Sequence, residues 1–262
     1  MTSEESMRDE LRESAARFLV AAREANRPGE RLPEAWRPPD LEAALAIQRR
    51  VGELLGQQVG GWKCSLPSPA RPIVAAPMLA PTIVRGPRCT VVAVGEAARV
   101  EPEVAFILGR DLPRRSKPYS DEEIVAAIAE TRLVLELLGS RYADTASPTW
   151  EEMVADSLQN QGLVIGPLVP GGLDAALESM VVVVRGPFGI LSTHDGRHGD
   201  GHPLRPLCWL ANFLAQRDEG LHAGQVVTTG SYAGAIEVPL GQPLAVAFGG
   251  LGSISIELIA AT

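Results

Sequence analysis

The sequence predicts an α+β protein, with a small helical subdomain over residues 1–59 and a β-rich body over residues 60–262. Three observations lead there. The first sixty positions hold two stretches whose apolar residues recur at helical spacing. From Gly60 the texture changes to short β-branched runs punctuated by Gly and Pro. The last runs alternate cleanly, with Leu244, Val246 and Phe248, then Ile254, Ile256 and Leu258, around Gly249-Gly250-Leu251-Gly252. They read as a hairpin with one buried face. At 262 residues and 45% hydrophobic content, the chain can bury one large core.

Taken in order, a first helix is expected from about Glu5 to Ala25. A second starts at the N-cap candidate Asp40, places Leu41, Ala44, Leu45, Val51 and Leu55 on one stripe, and stops at Gly56. The segment RPGERLPEAWRPPD between them reads as a proline-rich linker. Strand-like runs follow at Val91–Val94, Val100–Leu108, Thr131–Leu138, Val181–Arg185, Gln225–Thr229, Leu244–Phe248 and Ile254–Leu258. Two helices interrupt them. One begins at Ser120, where Ser120 and Glu123 make a capping box before Ile124–Ala129. The other follows His202-Pro203, with Leu207, Leu210 and Leu214 on one stripe.

Composition narrows the function. A formal net charge of −8 with scattered basic residues gives no field for a polyanion, so nucleic acid is excluded as a partner. The N-terminus lacks the unbroken apolar stretch of a signal peptide, and no later stretch is long enough to span a bilayer; a cytoplasmic protein without a membrane partner is expected. Cys64, Cys89 and Cys208 are far apart and odd in number, as reduced thiols are. Phosphate-cradling GxxxxGK[ST] and GxGxxG loops and a GxSxG elbow are all absent.

The chemistry concentrates in VEPEVAF. On a strand, Glu101 and Glu103 share one face while Val100, Val104 and Phe106 share the other. Two like charges side by side are unfavourable unless one takes up a proton or a cation lies between them. Glu136 is a third carboxylate, set among Leu133, Val134, Leu135, Leu137 and Leu138, where burial without a partner is costly. If the three converge, they form a hard oxygen site for Mg²⁺ or Mn²⁺; if not, they are strand residues facing solvent. His194, His198 and His202 form a rival cluster, but its glycines describe an exposed, mobile loop, and His202 has a structural place at a helix start. Lys63 follows two glycines at a strand start, either approaching an anion or lying solvated at an edge. Thr228-Thr229-Gly230-Ser231 either holds a carboxylate or simply turns.

Together GWK, VEPEVAFILGRDLP, the Glu of LELLGSRY, VAD, GHPL with WLAN, TTGS and FGGLGSISI resemble the 2-keto-4-pentenoate hydratase and 4-oxalocrotonate decarboxylase family of the fumarylacetoacetate hydrolase superfamily, in order from Gly60 to the C-terminus. The resemblance implies a β-rich mixed roll with an N-terminal helical subdomain, and a divalent metal, Mg²⁺ with Mn²⁺ as the alternative, on Glu101, Glu103 and Glu136. It implies a small 2-hydroxydienoate or 2-oxo acid from aromatic meta-cleavage as substrate, with hydration or decarboxylation as the reaction. Lys63 would pair with the substrate carboxylate or transfer a proton. Asp156 would be an acid/base group or support one, and Thr229 and Gly230 would hold substrate oxygens. A homo-oligomer is implied, with association with a partner enzyme of the same pathway, or service as its non-catalytic subunit, as further readings. No histidine precedes residue 194, against the histidine-activated water of the superfamily's hydrolase branch. The chain departs from the family pattern at CSLPSPARPIVAAPML, at Ser157 where relatives carry Asn, and at Gly139 where an Asp often stands.

Overall fold

The computed structural model describes residues 3–261 apart from Val94 and Asp218. Helix α1 (Ser3–Glu24) and helix α2 (Leu41–Leu55) open the chain. The Asp40 side chain accepts from the Ala43 N–H, and Gly56 closes α2 at φ 61, where a Cβ would be strained. A single 3₁₀ turn, Glu34–Trp36, interrupts the linker. Leu19, Ala44 and Ile47 of these helices share one apolar cluster with Tyr142, Val154 and Leu158 of the body.

The body contains two sheets. The larger, eight-stranded among the described residues, runs β2 (Ala75–Leu79), β1 (Val59–Cys64), β10 (Val226–Thr228), β5 (Ala97–Leu108), β6 (Ile128–Leu138), β7 (Asn160–Leu168) and β3 (Ile83–Val84), with β11 (Ile236–Pro239) also on β5. The smaller runs β4 (Arg88–Val91), β13 (Ser253–Ala260), β12 (Pro243–Phe248), β8 (Ser179–Gly186) and β9 (Gly189–Arg197). Most pairs are antiparallel, whereas β1 with β10, β3 with β7 and β4 with β13 are parallel. This is the mixed β-rich roll expected.

The even-numbered face of β5 and its counterpart on β6 join the inner face of the second sheet in one core. Val100, Val104, Phe106, Leu133 and Leu135 meet Val182, Val246, Phe248 and Ile256 there. Leu207, Leu210 and Leu214 of α5 (Leu204–Ala215) close it from the side. Among the described residues no helix is long and apolar enough to cross a membrane.

Two boundaries differ from expectation. Helix α3 covers only Asp121–Val125, although its Ser120–Glu123 capping box is formed. Ile128 and Ala129 already belong to β6, because Leu108 of β5 pairs with Ile128 and that ladder outweighs local helix preference. The strand expected at Val91–Val94 sits earlier, at Arg88–Val91, where it pairs with β13; Val94 lies outside the described residues.

Candidate active site

Strand pairing assembles the carboxylates. In the β5–β6 ladder Glu101 stands directly opposite Glu136, and Glu103 lies one same-face position farther along, opposite Val134. The three offer oxygens that all lie within 4.8 Å of one another. Glu103 is 2% exposed and Glu136 fully buried, while Glu101 is half-buried. The strand alternation therefore holds, and the glutamates converge instead of facing solvent.

Lys63 reaches the same face through two further strands. It sits opposite Thr228 on β10, which in turn sits opposite Ala105 on β5. Its Nζ lies 2.7 Å from Glu136 Oε1 and donates to the Leu158 carbonyl at 3.3 Å. Burial disfavours the ammonium, but Glu136, Glu101 and Glu103 more than offset this and hold the lysine above its ordinary pKa. Burial, with Glu136 and Glu101 adding repulsion, pushes the Glu103 carboxyl well above the usual range. Glu136 is also raised, by burial first and against the pull of Lys63.

These carboxylates are held in place by neighbours. Glu136 Oε1 accepts from Asn160 Nδ2 at 2.8 Å, and Glu103 Oε2 accepts from the Gly230 N–H at 2.9 Å. Glu136 Oε2 is buried without a partner. Three carboxylates facing one lysine leave two negative charges over, which is what a divalent cation supplies. An all-oxygen donor set with an orphaned buried oxygen fits a hard cation such as Mg²⁺. Among the described residues no other group of His, Cys, Asp and Glu converges in this way, the histidine cluster included.

A left-handed turn follows helix α4 (Trp150–Ala155). Ser157, Leu158 and Gln159 have φ of 54, 52 and 63, each costing roughly 1–2 kcal/mol for a residue with a Cβ. The turn aims the Leu158 carbonyl at Lys63 and sets Asn160 beneath Glu136. At Gly139 a Cβ would come within 2.6 Å of Gln161 Nε2, so Gln161, which bonds to Leu138 and Val92, occupies the space of a side chain there.

Asp156 is not brought to the carboxylates. It is buried in an ion pair with Arg141, accepts from the Arg141 N–H at 3.0 Å, and has Arg23 3.8 Å away. It does not line the cavity above the glutamates. Its carboxylate is committed to Arg141 beside the left-handed turn. At the TTGS turn the Thr229 hydroxyl donates to the Val104 carbonyl, and the Gly230 N–H is committed to Glu103. The unpartnered hydroxyl is on Thr228, which lines the cavity. Parity with Lys63 puts it there, a signal legible only once β1 and β10 are known to pair.

That cavity, about 590 Å³, also has Arg71, Arg99, Gln159 and His198 in its walls. Arg71 stacks over Trp150 at 5.4 Å, and Arg99 donates to Gln159 Oε1 at 3.2 Å; neither has a carboxylate partner among the described residues. The expectation of an exposed, mobile histidine loop is overturned. His194 lies on β9, and His198 is 2% exposed at a tight turn whose Gly201 N–H donates to the His198 carbonyl. Asp200 ties this turn to the unusual CSLPSPARP segment, its Oδ2 accepting from the Leu66 N–H at 2.9 Å. His202 keeps the structural place expected, its Nδ1 accepting from the Leu204 N–H.

The 2-keto-4-pentenoate hydratase of Paraburkholderia xenovorans is 29% identical over 267 residues, covering 96% of each chain. The chain is thus similar in sequence to proteins named 2-keto-4-pentenoate hydratase and 4-oxalocrotonate decarboxylase. Among solved structures, the chain is similar to the 4-oxalocrotonate decarboxylase of Pseudomonas putida complexed with magnesium and adipate, with a TM-score of 0.78 at 21% identity over 99% of each chain. A fumarylacetoacetate hydrolase family protein of Yersinia pestis is similar at a TM-score of 0.54 and 16% identity, over 78% of this chain and 94% of that one. No protein-family model matches.

Proposed function

We propose that the protein is a Mg²⁺-dependent lyase that adds water to a 2-hydroxyalka-2,4-dienoate, giving a 4-hydroxy-2-oxo acid. The observation that carries this is the convergence of Glu101, Glu103 and Glu136, with an orphaned carboxylate oxygen, beside Lys63 on one wall of a cavity. Glu101, Glu103 and Glu136 would hold the cation. When bound, it would act as a Lewis acid toward the carboxylate and 2-oxo oxygens of the substrate, favouring the enolate that hydration requires.

The chain's own residues do the rest. Lys63 faces the space above the glutamates as a group to pair with the substrate carboxylate or to transfer a proton. Asn160 and the Gly230 N–H keep two of the carboxylates from rotating. Asp156 and Arg141 hold the turn that orients Leu158 and Asn160. Thr228 offers a hydroxyl to a substrate oxygen. The buried glutamate face limits water to what the cavity admits, which strengthens each of these interactions.

A second reading, decarboxylation of a vinylogous 2-oxo diacid, uses the same centre. Arg71 and Arg99 support it, as guanidiniums without carboxylate partners that could take a second carboxylate at the far end of the cavity. A homo-oligomer accompanies either reading, supported by the exposed apolar tip of the β8–β9 hairpin at Phe188, Ile190 and Leu191.

Incubation with Mg²⁺ and a panel of 2-hydroxydienoates and oxalocrotonates tests the assignment. Loss of dienoate absorbance without CO₂ is expected. Release of CO₂ would favour the second reading, and inertness toward the whole panel would overturn both.

A further inference from the structure

We propose that His198 is a substrate-binding residue, its Nε2–H donating a hydrogen bond to an oxygen of the 2-oxo acid held at the glutamate centre. The inference rests on the reading of the site as a 2-oxo acid site and adds a ligand contact outside the carboxylates, Lys63 and the TTGS turn.

Four features of the ring lead to this. The His198 side chain is more than nine-tenths buried, packed edge-on against Tyr232 with ring centroids 5.4 Å apart. Its Nδ1 accepts from the Asp200 N–H at 3.2 Å. An accepting Nδ1 leaves the proton of the neutral ring on Nε2, which makes Nε2 a donor and removes it as a base. That Nε2 is buried and meets no acceptor at hydrogen-bond geometry among the described residues, the Thr229 backbone being near enough only to favour the protonated ring. A buried donor left unmade costs about 1–3 kcal/mol, so a ring locked in this pose calls for an acceptor.

The acceptor's position follows from Gly230. The ring edge that carries Nε2 faces Gly230, where a Cβ would lie 3.6 Å from Nε2. The same glycine donates its N–H to Glu103, so Nε2 is directed to the neighbourhood of the metal ligands. His198, Thr228, Lys63 and Glu136 line one cavity, and Thr228 Oγ1 and Glu136 Oε2 are unpartnered buried polar atoms there, as is Nε1 of Trp150, whose ring lies under Arg71. Two donors, one carboxylate oxygen and an ammonium around one space match an anionic oxygen ligand that reaches past the metal.

The test uses the Mg²⁺-loaded protein and 2-oxopentanoate, a saturated 2-oxo acid that cannot be hydrated. Titration calorimetry is expected to show binding to the unmutated protein. His198→Phe, which keeps a ring against Tyr232, should weaken that binding about tenfold with Mg²⁺ affinity unchanged, and His198→Asn, which retains an amide donor, should restore part of it. With a turned-over dienoate, KM should rise about tenfold and kcat change by less than about threefold. In ¹⁵N-histidine-labelled unmutated protein, the Nε2–H resonance of His198, identified by its loss in His198→Asn, should move on addition of 2-oxopentanoate. Equal affinity of His198→Phe and unmutated protein, or an unmoved resonance, overturns the inference while leaving the 2-oxo acid site standing. Failure of the unmutated, Mg²⁺-loaded protein to bind 2-oxopentanoate overturns the 2-oxo acid reading itself.

Discussion

Two clusters of buried charge lie a short helix apart, and they are built on opposite rules. Around α4, Glu152 is fully buried but accepts from Arg31 at 2.9 and 3.0 Å and from the Thr149 N–H at 2.9 Å, with Arg37 3.7 Å away. Asp156, also buried, is matched by Arg141 and Arg23. On the β5–β6 face, three carboxylates share one lysine, and an oxygen of Glu136 has no partner. Burial raises the Glu152 carboxyl, but Arg31 and the Thr149 N–H outweigh it and leave the group below its ordinary pKa, whereas Glu103 and Glu136 are raised. The matched cluster locks the helices to the body. The mismatched one is the candidate site, which an incoming cation and ligand would complete.

The largest effect should come from breaking the mismatched cluster. Glu101→Ala/Glu103→Ala should lose metal-dependent turnover to background and lose Mg²⁺ binding, while the β-rich circular dichroism spectrum persists. Mg²⁺ binding of unchanged strength, by calorimetry, would place the centre elsewhere. Next, Lys63→Ala should keep Mg²⁺ binding yet lose turnover by about 10²–10⁴-fold, the usual contribution of a positioned proton-transfer group. Turnover at the unmutated rate would remove Lys63 from the chemistry.

The matched cluster should answer in stability instead. Asp156→Asn leaves the buried Arg141 and the half-buried Arg23 without their counter-charge and should cost about 3–5 kcal/mol in urea unfolding. A loss below about 1 kcal/mol would show that the pair is not what holds the turn. Glu152, lowered when folded, contributes stability above the ordinary carboxylate range that is lost as pH falls through its lowered value. Glu103 and Glu136, raised when folded, act with the opposite sign: the metal-free protein gains from their protonation in acid and loses that gain as pH rises through their raised values. Mg²⁺ must displace those protons. Its stabilisation, read as a shift in Tm, should therefore be several degrees near pH ~8 and shrink toward pH ~5. A shift independent of pH would separate the cation from these carboxylates. The smallest effect is expected at His194, half-buried on β9, where His194→Ala should change stability by less than about 0.5 kcal/mol and leave turnover unchanged.

Much of this was determined by sequence alone, where the physics is local. Period-two alternation put Glu101 and Glu103 on one face, the Asp40 and Ser120 caps opened their helices, and Gly56 ended one. Glu136 stood out because a carboxylate in a leucine-rich strand needs a partner wherever the strand goes. The tertiary structure decided what depends on distant partners. Asp156, read from the sequence as an acid/base group or the support of one, lies against Arg141 and Arg23, and which hydroxyl of the TTGS turn faces the cavity depends on the register between β1 and β10. The histidine run looked exposed because glycine and charge usually mean solvent. His198 is buried instead, against Tyr232 and facing Gly230, contacts more than thirty residues away that no local pattern encodes.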